Sequence, residues 1–248
     1  MTKDFVKNFL IFKLSIYKPN SMFKSLFDLF FPQVCLGCGE FMQLNETVIC
    51  TSCRHELPLT NHHLETENEI IKKFYGRIPI EFGAAMVYFH KKGIVQELIH
   101  NLKYKNHQEI GTMLGAWYGE DLKLLEIVKS IDFIIPVPLH KKRLKKRGYN
   151  QVEKFGLALS TLLQVAYNDS ILYRAVYSDT QTQKSFFGRT EIRENLFDVM
   201  FSEAHHGKHF LLVDDVITSG TTIEVCAKAL LKIPDAKISV VTMAYSHS

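Results

Sequence analysis

Two adjacent carboxylates followed by a cluster of hydroxyls carry the most chemical information in this sequence. In FLLVDDVITSGTT, residues 210–222, an apolar strand is expected to end in Asp214 and Asp215, and the next turn holds Thr218, Ser219, Gly220, Thr221 and Thr222 before a helix begins. The unpaired N–H groups of a helix start carry the positive end of its dipole, so a turn rich in hydroxyls and glycine suits a phosphate monoester there. The carboxylates would repel that phosphate. Their position one turn away gives them another task, accepting hydrogen bonds from a diol or approaching a metal ion. A ribose 5-phosphate satisfies both halves. Helix capping alone would explain one hydroxyl, not four beside two acids. The segment has neither the G-x-x-x-x-G-K-S/T spacing of nucleoside triphosphatases nor the G-x-G-x-x-G of dinucleotide folds, which disfavours both classes.

A second constellation is Cys35-Leu-Gly-Cys38 with Cys50-Thr-Ser-Cys53, a C-x2-C-x11-C-x2-C pattern in which Gly37 and Gly39 permit tight knuckles. Four thiolates fit a closed tetrahedral zinc site that folds a ribbon too small to have its own core, with no open position for catalysis. A redox C-x-x-C pair is the rival reading, but two such pairs outside a thioredoxin-like pattern favour metal. Cys226 stands alone in a helical pattern and is expected to pack as a small hydrophobe.

Charge is placed unevenly. The formal net charge is only +4, yet six of the seven positions from Lys141 to Arg147 are basic, so the rest of the chain is net negative. This run follows IDFIIPVPLH, a buried strand and a turn fixed by Pro136 and Pro138, and would attract a diphosphate if it borders the ligand edge of the sheet. A solvated basic helix face and a nucleic-acid patch are the alternatives. LIHNLKYKNH adds His100, Lys103, Lys105 and His107, and the polar stretch 177–195 has the character of a functional loop able to close over a charged substrate.

The elements that must position these residues follow from periodicity. From Ala84 onward AAMVYF, FIIPV, FLLV and KISVVTMAY read as strands. IVQELIHNLKY, IGTMLGAWYGEDLKLLEIV, VEKFGLALSTLLQVA and TTIEVCAKALLK read as helices. Strands alternating with helices predict an α/β fold, a mostly parallel sheet flanked by helices, whose ligands bind at the carboxyl ends of strands. The expected organisation is an N-terminal amphipathic extension (1–32), the cysteine module (33–57), a connector rich in charge and His (58–83) and the α/β domain (84–248). The extension is expected to form two short helices broken at Pro19 and Asn20, packing on the chain's own domain, with Met22 as an alternative start. A length of 248 residues with 46% hydrophobic and 23% charged residues excludes collagenous and largely disordered classes. Five cysteines are too few for a disulfide scaffold, and no apolar run approaches the roughly 20 residues of a membrane span, so a cytoplasmic protein is expected.

Taken in order, these segments resemble the ComF family of bacterial competence proteins. The resemblance rests on the cysteine module, Lys103-Tyr104, PVPLHKKRLKKRGYNQ, the loop from Gln183 through Arg189 to Asn195, and VDDVITSGTT, which looks like the phosphoribosyl pyrophosphate (PRPP) signature of type I phosphoribosyltransferases. Residues 33–245 are covered. The resemblance implies a type I phosphoribosyltransferase-like sheet with a small N-terminal zinc ribbon, PRPP bound with magnesium, and, in some bacteria, a role in DNA uptake. It further implies that Asp214 and Asp215 hold the ribose and residues 218–222 the 5-phosphate. Lys103, Pro138, Leu139, Lys141 and Arg143 would hold the pyrophosphate, and Gln183, Lys184 and Arg189 would belong to a flexible lid. Ser219 stands where many members have Thr and keeps the hydroxyl. Two functions stay open: an enzyme of nucleotide metabolism transferring a phosphoribosyl group to an acceptor with no readable signature, and an accessory of the DNA-uptake machinery that binds single-stranded DNA with PRPP as a regulatory ligand. A PRPP sensor without turnover is a third.

Overall fold

The computed structural model describes residues 32–175 and 196–247. The expected amphipathic helices of the extension and the lid residues Gln183, Lys184 and Arg189 lie outside them. In chain order the strands are β1 (Phe82–Tyr88), β2 (Phe133–Pro136), β3 (Ala166–Tyr167), β4 (Leu172–Arg174), β5 (Phe197–Val199), β6 (His209–Ile217) and β7 (Lys237–Tyr245). Five of them form one parallel sheet in the order β1-β7-β6-β2-β3, and β4 and β5 pair as a separate antiparallel ribbon.

The sheet is covered on both faces, as its near-continuous apolar strands require. Alternate residues of β6 enter two different cores. Leu211 and Val213 join one, while Phe210 and Leu212 join the other. The first core contains apolar residues of α3 (Ile94–Tyr104), α4 (Glu109–Leu122) and α6 (Glu153–Leu163). The second contains those of α2 (Glu69–Phe74) and α7 (Thr221–Leu230). Helix α4 lies against α6 so closely that a Cβ on Gly115 would sit 2.6 Å from the Phe155 carbonyl, which only glycine avoids.

Two differences from the sequence expectation concern the end of β6 and the stretch before β1. Strand β6 does not stop at Val213 but runs through both acids to Ile217, because β7 continues beside it and pairs Asp214 with Thr242 and Ile217 with Tyr245. The stretch 58–83, expected to connect two units, is built into the α/β body. Leu59 bridges Val87, Ile70 and Phe74 are fully buried, and Asn68 caps α2 while donating to the Gly83 carbonyl at 2.8 Å.

The cysteine module also packs on this body. It begins at the Val34–Phe41 bridge and ends in α1 (Thr51–Glu56). Cys35, Cys50 and Cys53 are buried in the first core, and Asn101 of α3 donates to the Leu36 carbonyl at 2.8 Å.

Candidate functional site

The carboxyl ends of β2 and β6 open into two adjoining cavities of about 580 and 600 Å³ that share Arg143, Arg174 and Thr222. Side-chain alternation along β6 sends the two acids to opposite faces of the sheet end. Asp215 follows Val213 toward the first core and is only 5% exposed; the Lys103 ammonium at the end of α3 stands 3.1 Å from its Oδ2. Asp214 follows Leu212 toward Cys226 and accepts from the Asp215 amide at 2.8 Å. Both acids line the first cavity.

Two carboxylates this close resist joint ionisation. Burial, and then the charge of Asp215, raise the Asp214 carboxyl to about 8, although the Asp215 amide and Lys103 pull the other way. A divalent cation suits such a pair, but two carboxylates supply few of its ligands, so phosphate oxygens and water would have to complete the shell.

The hydroxyl turn faces the second cavity through Ser219, Thr221 and Thr222. Ser219 Oγ lies 3.0 Å from Thr221 Oγ1 and 3.4 Å from its amide. Gly220 caps α7 at φ +77°, a left-handed conformation in which a Cβ would also meet the Phe74 ring at 3.0 Å. Thr218 is exposed and does not line either cavity.

The basic run folds as α5 (Lys141–Arg147), capped by His140 and ended by Gly148 at φ +84°. Spacings of three and four residues put Lys146 and Arg147 on the face of Arg143, and these three line the first cavity. Lys141, Lys142 and Lys145 do not. Of the residues expected at the pyrophosphate, the cavities bring together Lys103, Pro138 and Arg143, and leave out Leu139 and Lys141. The segment after α5 anchors this arrangement: Tyr149 OH donates to the Leu102 carbonyl beside Lys103, and Asn150 Nδ2 donates to the Val137 carbonyl at 3.0 Å.

Several lining residues escaped the sequence reading. Lys146 and Arg147 were legible from helical spacing once Arg143 was suspected. Arg174 of β4 carried no signal, yet it lines both cavities with its guanidinium 5.1 Å from the Phe197 ring; burial holds its pKa below the usual arginine value. Tyr104, Asn106 and Gln151 complete the far wall, with Arg147 donating to Gln151.

At the other end of the chain the Cys35, Cys38, Cys50 and Cys53 sulfurs lie within 4.8 Å of one another. Cys38 and Cys50 are 3.7 Å apart, close to the edge of about 3.8 Å for a tetrahedron of 2.3 Å Zn–S bonds. The Gly37 and Cys50 amides donate to Cys35 Sγ at 3.3 and 3.2 Å. Burial pushes the Cys35 thiol up, but amide donors from Cys50, Cys38 and Gly37 outweigh it and bring it down to about 7. The four cysteines could therefore hold a metal ion such as zinc. Between the pairs, Glu46 accepts from the Gln43 and Thr51 amides at 2.7 and 2.6 Å and fixes the turn.

Fold and site define a parallel α/β protein with cation-lined cavities at the carboxyl ends of β2 and β6 and an appended four-cysteine knuckle. No family model matches the sequence. Competence protein F of Haemophilus influenzae is 26% identical over 220 residues, spanning 85% of this chain and 96% of the relative. The DNA utilization protein YhgH of Escherichia coli is 27% identical over 215 residues, spanning 84% and 88%. Among solved structures, a purine phosphoribosyltransferase from Pyrococcus horikoshii is 14% identical and covers 56% of this chain and 83% of its own, with a TM-score of 0.34. The chain is thus similar, over most of its length, to proteins named for competence and for DNA utilization. No helix among the described residues is long and apolar enough to cross a membrane.

The raised Asp214 carboxyl has a signed consequence. Its folded-state value lies above the ordinary 3.8, so the fold is unpenalised below that pH, loses stability as pH rises toward about 8, and loses no more beyond. Asp214→Asn should remove this slope. Calorimetric melts between about pH 5 and pH 8 should show the variant gaining a few degrees on the parent protein.

Proposed function

We propose that the chain is a PRPP-binding protein of phosphoribosyltransferase type, releasing pyrophosphate as a nucleophile takes the phosphoribosyl group. The observation that carries this reading is the pair of joined cavities: two acids and a hydroxyl turn at one strand end, facing Lys103, Arg143, Lys146, Arg147 and Arg174. Five cations against two acids, one of them held toward its neutral form, call for a polyanion that also presents hydroxyls. PRPP has both.

In this reading Asp214 and Asp215 accept hydrogen bonds from the ribose diol. Ser219, Thr221 and Thr222 bind the 5-phosphate with the amides at the start of α7. Arg143, Lys146, Arg147 and Arg174 hold the diphosphate, whose charge grows as the bond to C1 breaks, so fixed cations favour the transition state. Lys103, already at Asp215, links the ribose end to the diphosphate end. Magnesium, when bound with PRPP, would offset diphosphate charge and relieve the acid pair. The Cys35, Cys38, Cys50 and Cys53 site is read as structural zinc, since all four positions are filled by protein thiolates.

A second reading has its own observation. Lys141, Lys142 and Lys145 form part of the exposed helix α5 but do not line the cavities. A row of ammonium groups left outside the pocket suits the phosphates of single-stranded DNA, and a PRPP-regulated DNA-handling protein would use both faces of this helix.

Three outcomes are expected. Calorimetric titration with PRPP and magnesium should show binding that the double change Asp214→Ala, Asp215→Ala weakens at least about a hundredfold, the scale of losing two charge-assisted contacts; full-strength binding by that variant would refute the assignment. Thiol modification in the presence of a zinc-sensitive dye should release about one zinc ion per chain, and Cys50→Ser should lower the melting temperature by on the order of 10 °C. Neutralising Lys141, Lys142 and Lys145 to Gln should leave PRPP affinity intact and flatten the salt dependence of single-stranded DNA binding by about two units of slope; an unchanged slope would remove the second reading.

A further inference from the structure

Arg77 lies just past α2, in the stretch expected to be a connector, and reaches back to the phosphate turn. Its Nη1 donates to the Ser219 carbonyl at 3.0 Å and to the Lys73 carbonyl at 3.2 Å. Its Nε donates to Glu224 Oε2 at 2.9 Å, and Nη2 reaches the same carboxylate oxygen. Glu224 stands in the first turn of α7 and is held from its other side by Lys228 at 2.9 Å. One guanidinium therefore ties the end of α2, the turn and the start of α7 together.

Which turn atom it holds matters. The Ser219 carbonyl and the Gly220 N–H belong to one peptide plane and, in the trans form, point in opposite directions. Fixing the carbonyl toward Arg77 fixes the N–H away from it, and that N–H has no acceptor among the described residues. Phe74 and Lys73 close the same side, where a Cβ on Gly220 would meet them at 3.0 and 3.3 Å. Oriented, unsatisfied amides at a helix start are what an anion binds, and the brace sets them before the anion arrives.

We infer that Arg77 is a positioning residue that pre-orients the Ser219–Gly220 peptide for a phosphate monoester. This rests on the reading of residues 218–222 as the phosphate turn. A lysine could not replace it fully, because a single ammonium cannot span both Ser219 and Glu224 in a planar fork.

The test compares Arg77→Ala and Arg77→Lys with the parent chain by titration with ribose 5-phosphate and, separately, inorganic pyrophosphate. Hydrogen–deuterium exchange of residues 219–222 is followed without ligand. Arg77→Ala should weaken ribose 5-phosphate about tenfold, the scale of one charge-assisted hydrogen bond, leave pyrophosphate within about twofold, and speed exchange in the turn. Arg77→Lys should recover part of each loss, and it carries the comparison alone if Arg77→Ala does not fold. Equal weakening of both ligands, or parent-like ribose 5-phosphate affinity with parent-like exchange, would overturn the inference. If the parent chain binds neither compound, the phosphate reading fails, and the exchange rates still decide whether Arg77 holds the turn.

Discussion

The arrangement at the end of β6 depends on keeping two neighbouring carboxylates at one strand terminus without an unpaired buried charge. Backbone alternation separates them across the sheet, which lowers their repulsion, and each face answers differently. On the side of α3, Lys103 supplies an ammonium at 3.1 Å from Asp215. On the side of α7, Asp214 has buried Cys226 nearby and is held toward its neutral form. An acid pair in this state is a poor partner for itself and a good one for hydroxyls and cations.

Lys103 is held in place by distant parts of the chain. Tyr149, beyond the basic helix, bonds the Leu102 carbonyl next to it, and Asn150 bonds the turn after β2. One dipeptide thus sets the distance between the acid pair and the cations of α5. The cysteine module touches the same helix at both ends: Gly37 meets Ile94 at its start so closely that a Cβ would lie 2.9 Å from it, and Asn101, two residues before Lys103, donates to the Leu36 carbonyl. A metal held by the four cysteines would stiffen the knuckle and, through it, α3 and the ammonium at Asp215.

Much of the sheet was legible because its strands are long and two-sided. KISVVTMAY spans the residues of β7, and IVQELIHNLKY those of α3. The placement of DDVITSGTT between a strand and a helix, and the meeting of the four cysteines, were legible because few structural roles demand those residues at those spacings. Other features were hidden for physical reasons. Strand β6 overran its expected end because its length is set by pairing with β7, a contact no local pattern encodes. The two-residue β3 and three-residue β4 and β5 are too short to show a period, so Arg174 gave no hint of its place between the cavities.

The stretch 58–83 shows most clearly why composition misleads. Its charges and histidines read as a connector, yet some of its polar groups, those of Thr60, His62 and Asn68, are buried in the fold. Asn68 donates to the His62, Glu65 and Gly83 carbonyls and accepts from the Ile70 and Ile71 amides, satisfying backbone groups that water would otherwise have to reach. His62, fully buried beside Glu69, is pushed by burial toward its neutral form, which limits the cost of enclosing it. With its polar atoms used this way, the segment can place Ile70 and Phe74 in the second core and still leave Arg77 free to reach the turn before α7. A polar stretch can therefore back the turn before α7 from inside the fold when its hydrogen bonds close on the backbone it covers.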